Sequence, residues 1–156
     1  MRTEIAGVWS REYAVRKKAK TGEYEISSMK ISKDRYRGYR DLKVYQLSYK
    51  LALEIQKITK TFPKEEKYSL VDQIRRSSRS VPTNLAEAWK KRRYEKAFIS
   101  KVIDCAGEAG ETEVWLDFSK DFGYLDEYKH NQLIEKYNEV NRMLYGMINK
   151  SDKFCR

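Results

Sequence analysis

The chain has 156 residues, with 33 Lys and Arg against 23 Asp and Glu, a formal charge of +10 and a single histidine. That length suits one domain with its own core, and no apolar run approaches the ~20 residues of a membrane span. No apolar segment precedes a small-residue cleavage site near the N-terminus, and Cys105 and Cys155 stand far apart. A cytoplasmic protein with reduced thiols is therefore expected.

The charge is unevenly spread. Residues 1–40 hold 11 basic and 5 acidic side chains, residues 64–101 hold 11 and 5, and residues 102–156 hold 7 and 11. A basic N-terminal arm, a basic helix and an acidic helix are expected, and the basic excess favours an RNA, DNA or acidic-protein partner. Solubility is the competing explanation.

Residues 1–38 settle into no period, and short apolar clusters alternate with RKKAK and KDRYRGYR. A small strand pair competes here with a mobile arm, and the arm is preferred. Met29 opens a segment that reads as a natural start, which would make 1–28 an upstream extension.

From Asp41, a plausible N-cap, the pattern is helical. Leu47, Leu51, Ile55, Ile58 and Phe62 recur at spacings of four and three, a seam ending where Pro63 forces Phe62 out of the helical region. The next helix is basic, with Glu65 and Glu66 near its start, where the macrodipole favours anions. At about 100° per residue it divides into two faces. Leu70, Val71, Ile74, Ser77, Ser78, Val81, Leu85, Ala88 and Trp89 fall on one side, and Arg75, Arg76, Arg79, Lys90 and Arg93 on the other. Pro82 removes one backbone hydrogen bond, so a kinked helix or two short ones meeting at residues 80–83 are expected.

A third helix is expected over Tyr94 to Asp121, with Phe98, Val102, Cys105, Ala109, Thr112 and Leu116 as its seam. Gly107 and Gly110 cost ~1 kcal/mol each relative to alanine, which close approach of a neighbouring helix would justify. Gly123 sits where a C′ glycine is expected. A fourth helix, Asp126 to Lys150, carries Leu133, Tyr137, Val140, Leu144 and Met147. Four amphipathic helices with short connections make an all-α, antiparallel up-down four-helix bundle over 39–150, with 151–156 as a tail.

The run FPKEEKYSLVDQIRRSSRSVPTNLAEAW, followed by ETEVWLDFSKDFGYL, resembles the bacterial four helix bundle proteins encoded in intervening sequences of 23S ribosomal RNA genes. Relatives include the accessory protein of diversity-generating retroelements. The family pattern is a first helix ending in FP, a Gly-Leu before QIRRA, S-[IV]-P-[ST]-N-[IL]-A-E-G, then E-L-E and GY. Here Ser69-Leu70 stands for Gly-Leu, Gln73 to Ser77 for the middle, and Ser80 to Glu87 for the proline segment. Ala88 replaces the family glycine, which implies unbroken helix. The resemblance spans about 39–150. It implies a homopentameric ring and, from its best-understood branch, a role without catalysis; no cofactor is expected. It also implies, from one branch, nucleic-acid binding beside a reverse transcriptase.

Arg75, Arg76 and Arg79 can each take a phosphate from one helix face, giving salt-dependent affinity. The competing reading pairs them with Glu87, Asp104, Glu108 or Glu111 inside the fold or between subunits. Lys90, Lys91, Arg92 and Arg93 form a second cationic cluster, read either as backbone-binding or as a solvated helix end. Trp89 beside them reads as core, and Arg16, Lys17, Lys18 and Lys20 as a solvated run. His130 with Glu127 makes one Glu-x-x-His pair where a di-iron bundle needs two, so no metal is expected. No phosphate loop or nucleophile motif is present, so the chain reads as a non-enzyme. Two functions stay open: an oligomeric nucleic-acid accessory factor, or a protein scaffold in which basic and acidic helices of neighbouring subunits dock.

Overall fold

A computed structural model describes residues 15–17, 24–26 and 36–155. Residues 1–35 and 36–156 form two compact units. In the first, β1 (Val15–Lys17) pairs antiparallel with β2 (Tyr24–Ile26), Val15 opposite Ile26. The strand pair considered for this segment is therefore present. The proposed start at Met29, and Lys18 and Lys20, lie outside the described residues.

The second unit is a bundle of α1 (Lys43–Ile58), α2 (Leu70–Lys91), α3 (Glu95–Asp121) and α4 (Glu127–Asn149). The widest interface joins α2 to α3; α1 packs on α2 and α4, and α4 on α3, so α1 and α3 occupy one diagonal. Short 3-10 turns cover Thr59–Thr61, Lys64–Tyr68 and Ser151–Lys153. No helix among the described residues is long and apolar enough to cross a membrane.

The expected core face of α2 is buried at every position, from Leu70 to Trp89, and Pro82 is buried with it. On α3 the whole expected seam is fully buried, and so is that of α4, where Met147 keeps 4% exposure. Each large apolar side chain so placed contributes ~1.5–3 kcal/mol over its exposed state. The Ser77 hydroxyl, inside this core, accepts a 2.8 Å bond from the Thr112 hydroxyl, joining α2 to α3 without leaving either polar group bare.

Several local expectations change. Asp41 does not cap α1. It lies in a 3-10 turn and accepts from the Arg37 backbone N–H, while Leu42 occupies the N-cap position. In the α1 seam Leu51 and Ile55 are buried but Leu47 and Ile58 only half so; Val44, Ser48 and Ala52 complete the face. α2 starts later than the acidic pair implied. Residues 64–68 form a 3-10 turn, and the Glu66 carboxylate accepts from the Ser69 hydroxyl at 2.5 Å and the Leu70 N–H at 3.3 Å. That carboxylate lies well placed for the positive end of α2. The helix then runs unbroken through Pro82, which sets aside two short helices. Hydroxyls of Ser77, Ser78, Ser80 and Thr83 bond carbonyls three or four residues back, around the segment where the proline removes a donor.

Gly107 and Gly110 do not mediate close packing inside the bundle: a Cβ at either would meet nothing within 4 Å. Gly123 behaves as expected, at φ +78 just past α3, with its N–H on the Lys120 carbonyl and those of Tyr124 and Leu125 on Ser119. Asp126 caps α4 by accepting from the Lys129 N–H at 2.7 Å. Residues 151–155 fold back onto the bundle: Phe154 stacks on Tyr36 at 5.7 Å and Phe98 at 5.9 Å, and Tyr36 also meets Trp89 edge-on.

Candidate nucleic-acid interface

The three arginines of α2 share one shallow groove of about 480 Å³ with Asp72, Ser80 and Thr83. Their environments differ. The Arg75 Nε donates to the Thr59 hydroxyl at 2.8 Å, and the Arg79 Nη2 donates to the Gln56 side-chain carbonyl at 2.5 Å. Both partners are neutral, and among the described residues neither arginine makes an ion pair. These two guanidinium groups are thus anchored to α1 and to the turn after it by neutral partners, and Asp72 is the one carboxylate lining their groove.

Arg76 is different. It reaches across to α3 and pairs with Glu111 at 2.5 Å and Glu108 at 3.5 Å. Its guanidinium is held above its ordinary range, first by the Glu111 bond. Glu111 in turn is held below the ordinary carboxylate value, first by Arg76 and then, against the cost of burial, by the Trp115 indole N–H. The internal-partner reading therefore holds for Arg76, with two of the four acids considered. Glu87 goes instead to Lys91 at 2.9 Å and Lys101 at 3.0 Å, and Asp104 to Lys101 at 3.4 Å.

The second cluster also divides. Lys91 is taken by Glu87, and Arg92 donates to the Trp89 carbonyl at 2.8 Å while lying over the Trp89 ring at 4.3 Å. Lys90 and Arg93 are exposed. Eleven residues at 1.5 Å rise place Lys90 about 16 Å along the same face from Arg79. Trp89 is core, as expected, with 6% exposure.

The remaining ionisable groups are structural in setting. His130, nearly buried, makes a 2.7 Å contact through Nε2 with Asp117 across the α3–α4 interface. Glu113 accepts from Asn141 Nδ2 at 2.9 Å. Burial pushes the Cys105 thiol up to about 12, and its Sγ lies 3.5 Å from the Val81 carbonyl. Among the described residues no three His, Cys, Asp or Glu side chains converge as metal ligands would.

Two surface features escaped the sequence reading. Tyr39, Tyr45 and Tyr49 line a groove between α1 and α2, and the i,i+4 spacing of the last two was a readable signal. On α3, Ile103, Gly107, Gly110, Val114 and Phe118 form a stripe opposite the core seam, with Ile103, Val114 and Phe118 each more than two-fifths exposed. Assigning α3 one apolar seam hid the second.

The motif segments meet in space. The Phe62 ring packs on Tyr124 at 5.6 Å, and the Tyr124 hydroxyl donates to Glu66. The second arginine of Gln-Ile-Arg-Arg pairs with the first glutamate of Glu-Thr-Glu. Comparison with known proteins agrees with this pattern. The family model of the 23S rRNA-intervening sequence protein matches residues 40–146. A crystal structure of a protein of unknown function from the S23 ribosomal protein family of Bacteroides thetaiotaomicron aligns with a TM-score of 0.61 and 28% identity, covering 67% of this chain and 97% of that one. A search of curated proteins gives no match. The chain belongs to the 23S rRNA-intervening sequence protein family.

Proposed function

We propose that this bundle is a non-catalytic, self-associating accessory protein that holds RNA or DNA backbone along the cationic face of α2. The observation that carries this reading is the state of Arg75 and Arg79. Each is fixed in place by a neutral hydrogen bond and keeps its full charge for an outside anion. Lys90 extends the face and Arg93, expected on it, lies exposed in the turn just past the end of α2, while Arg76 holds the helix to α3. Filter binding across a salt series tests it: affinity should fall steeply as salt rises, and affinity indifferent to ionic strength would refute it.

Self-association has separate support in the outer stripe of α3. A helix apolar on two opposite sides buries both when it can, and glycines at 107 and 110 leave room for a second backbone to approach. A ring of five, as the resemblance implies, is one assembly of this kind. Val114→Glu and Phe118→Glu should lower the sedimentation coefficient; an unchanged profile would remove the α3 stripe from the interface. Docking of basic on acidic helices between subunits is the weaker route, because Glu108 and Glu111 are already engaged by Arg76 of the same chain.

A further inference from the structure

A second groove, of about 500 Å³, adjoins the arginine groove and shares Arg79 and Thr83 with it. Its other wall is a row of rings on α1 and the turn before it. Tyr39 meets Tyr45 edge-on at 5.0 Å, and Tyr45 stacks beside Tyr49 at 5.9 Å with 27° between planes. The Arg40 guanidinium covers the Tyr39 ring at 4.7 Å, at the far end from Tyr49. Tyr49 keeps 49% of its surface exposed. No residue lining this groove is acidic.

A row of three touching rings, half-buried at Tyr39 and Tyr45 and half-exposed at Tyr49, with arginines at its ends and no acid in the groove lining, suits one chemistry: a flat aromatic group attached to an anion. Aromatic side chains take unpaired bases by stacking whatever their identity, while cations beside them take the phosphates. A duplex hides its base faces and offers this groove nothing. We infer, resting on the backbone-binding reading above, that the tyrosine row makes the protein a single-strand binder. An unpaired base stacks against Tyr49 and Tyr45, its phosphate lies on Arg79, and the strand continues onto Arg75. RNA and DNA share that chemistry, and the ribose 2′-hydroxyl is what would separate them.

Fluorescence anisotropy of the full chain with a labelled single-stranded 12-mer and with a duplex of the same length, each as RNA and as DNA, tests this. A 2-aminopurine base in the single strand reports stacking by quenching. The wild type is expected to prefer the single strand about tenfold or more, with quenching, from stacking on two rings. Tyr49→Ser with Tyr45→Leu should erase that preference and the quenching while leaving the salt slope on duplex in place. Tyr49→Phe, which keeps the ring, should behave as wild type and shows that the ring and not the fold is at issue. Equal, salt-dependent affinity for both forms would overturn the inference and leave the cationic reading standing. No binding by either form would overturn both. A double variant that binds the single strand as before but no longer self-associates would mean that a second copy of the chain covers these tyrosines.

Discussion

Replacing Arg75 and Arg79 together by alanine separates charge from architecture. Neither side chain is in the core, and each gives up one hydrogen bond to a neutral partner. Two such bonds are worth ~0.5–1.5 kcal/mol each, so the bundle should melt a few degrees lower and remain folded. On nucleic acid the effect is larger. Each phosphate contact adds ~0.7 to 0.9 to the slope of log affinity against log salt, so losing two flattens it by about 1.4 to 1.8. Between ~50 and ~200 mM salt the wild type should then lose about 7- to 12-fold more affinity than the variant. Anisotropy titrations at four salt concentrations, with circular dichroism to confirm the helices, read both quantities. A variant that keeps its helices and shows the wild-type slope would refute the assignment of these two arginines.

Arg76→Ala should do the reverse, costing ~0.5–1 kcal/mol in a denaturant melt, since its pairs are partly exposed, with a smaller change in salt slope. Glu111 sits below its ordinary value near 4.5, so its contribution is present above that pH and is lost as pH falls through the folded value. Glu111→Gln should flatten the acid limb of stability against pH, and an unaltered limb would show that Arg76 does not set it. Ile74→Ala, at a site with no exposure in the α2 core, should destabilise by ~2–5 kcal/mol in urea. Tyr137→Phe should change stability by no more than ~1 kcal/mol on thermal denaturation, because that buried hydroxyl makes no well-formed hydrogen bond, only a contact with the Thr112 hydroxyl. Cys105, pushed by burial from an ordinary 9.0 to about 12, should resist alkylation at pH 8 until the protein unfolds, as intact mass would show. The same shift contributes stability below pH 9 that is lost as pH rises toward 12.

The helix faces were readable because burial imposes a period and the side chains follow it. Leu70 to Trp89 shows this most fully, since every apolar position on one side of α2 is in the core. The start of that helix was not readable. Glu65 and Glu66 looked like a first turn, but Glu66 acts from outside, through its carboxylate, on Ser69 and Leu70. Side-chain reach across helices was also hidden. Nothing in Arg75, Arg76 and Arg79 taken singly says that the middle one faces Glu111 while its neighbours meet Thr59 and Gln56. The glycines of α3 misled because low helix propensity was read as a sign of packing within the chain, whereas both face away from it.

The stack of Tyr36 on Phe154 has a consequence for chain order. Four antiparallel helices return the backbone to the end of the bundle where it began, so first and last segments are neighbours. A short linker joining 155 to 36, with new ends cut at the Gly123 turn, would start the chain with α4 and finish it with α3. Every core contact would survive that rearrangement, because the helices are held by what they bury and not by the sequence in which they are threaded.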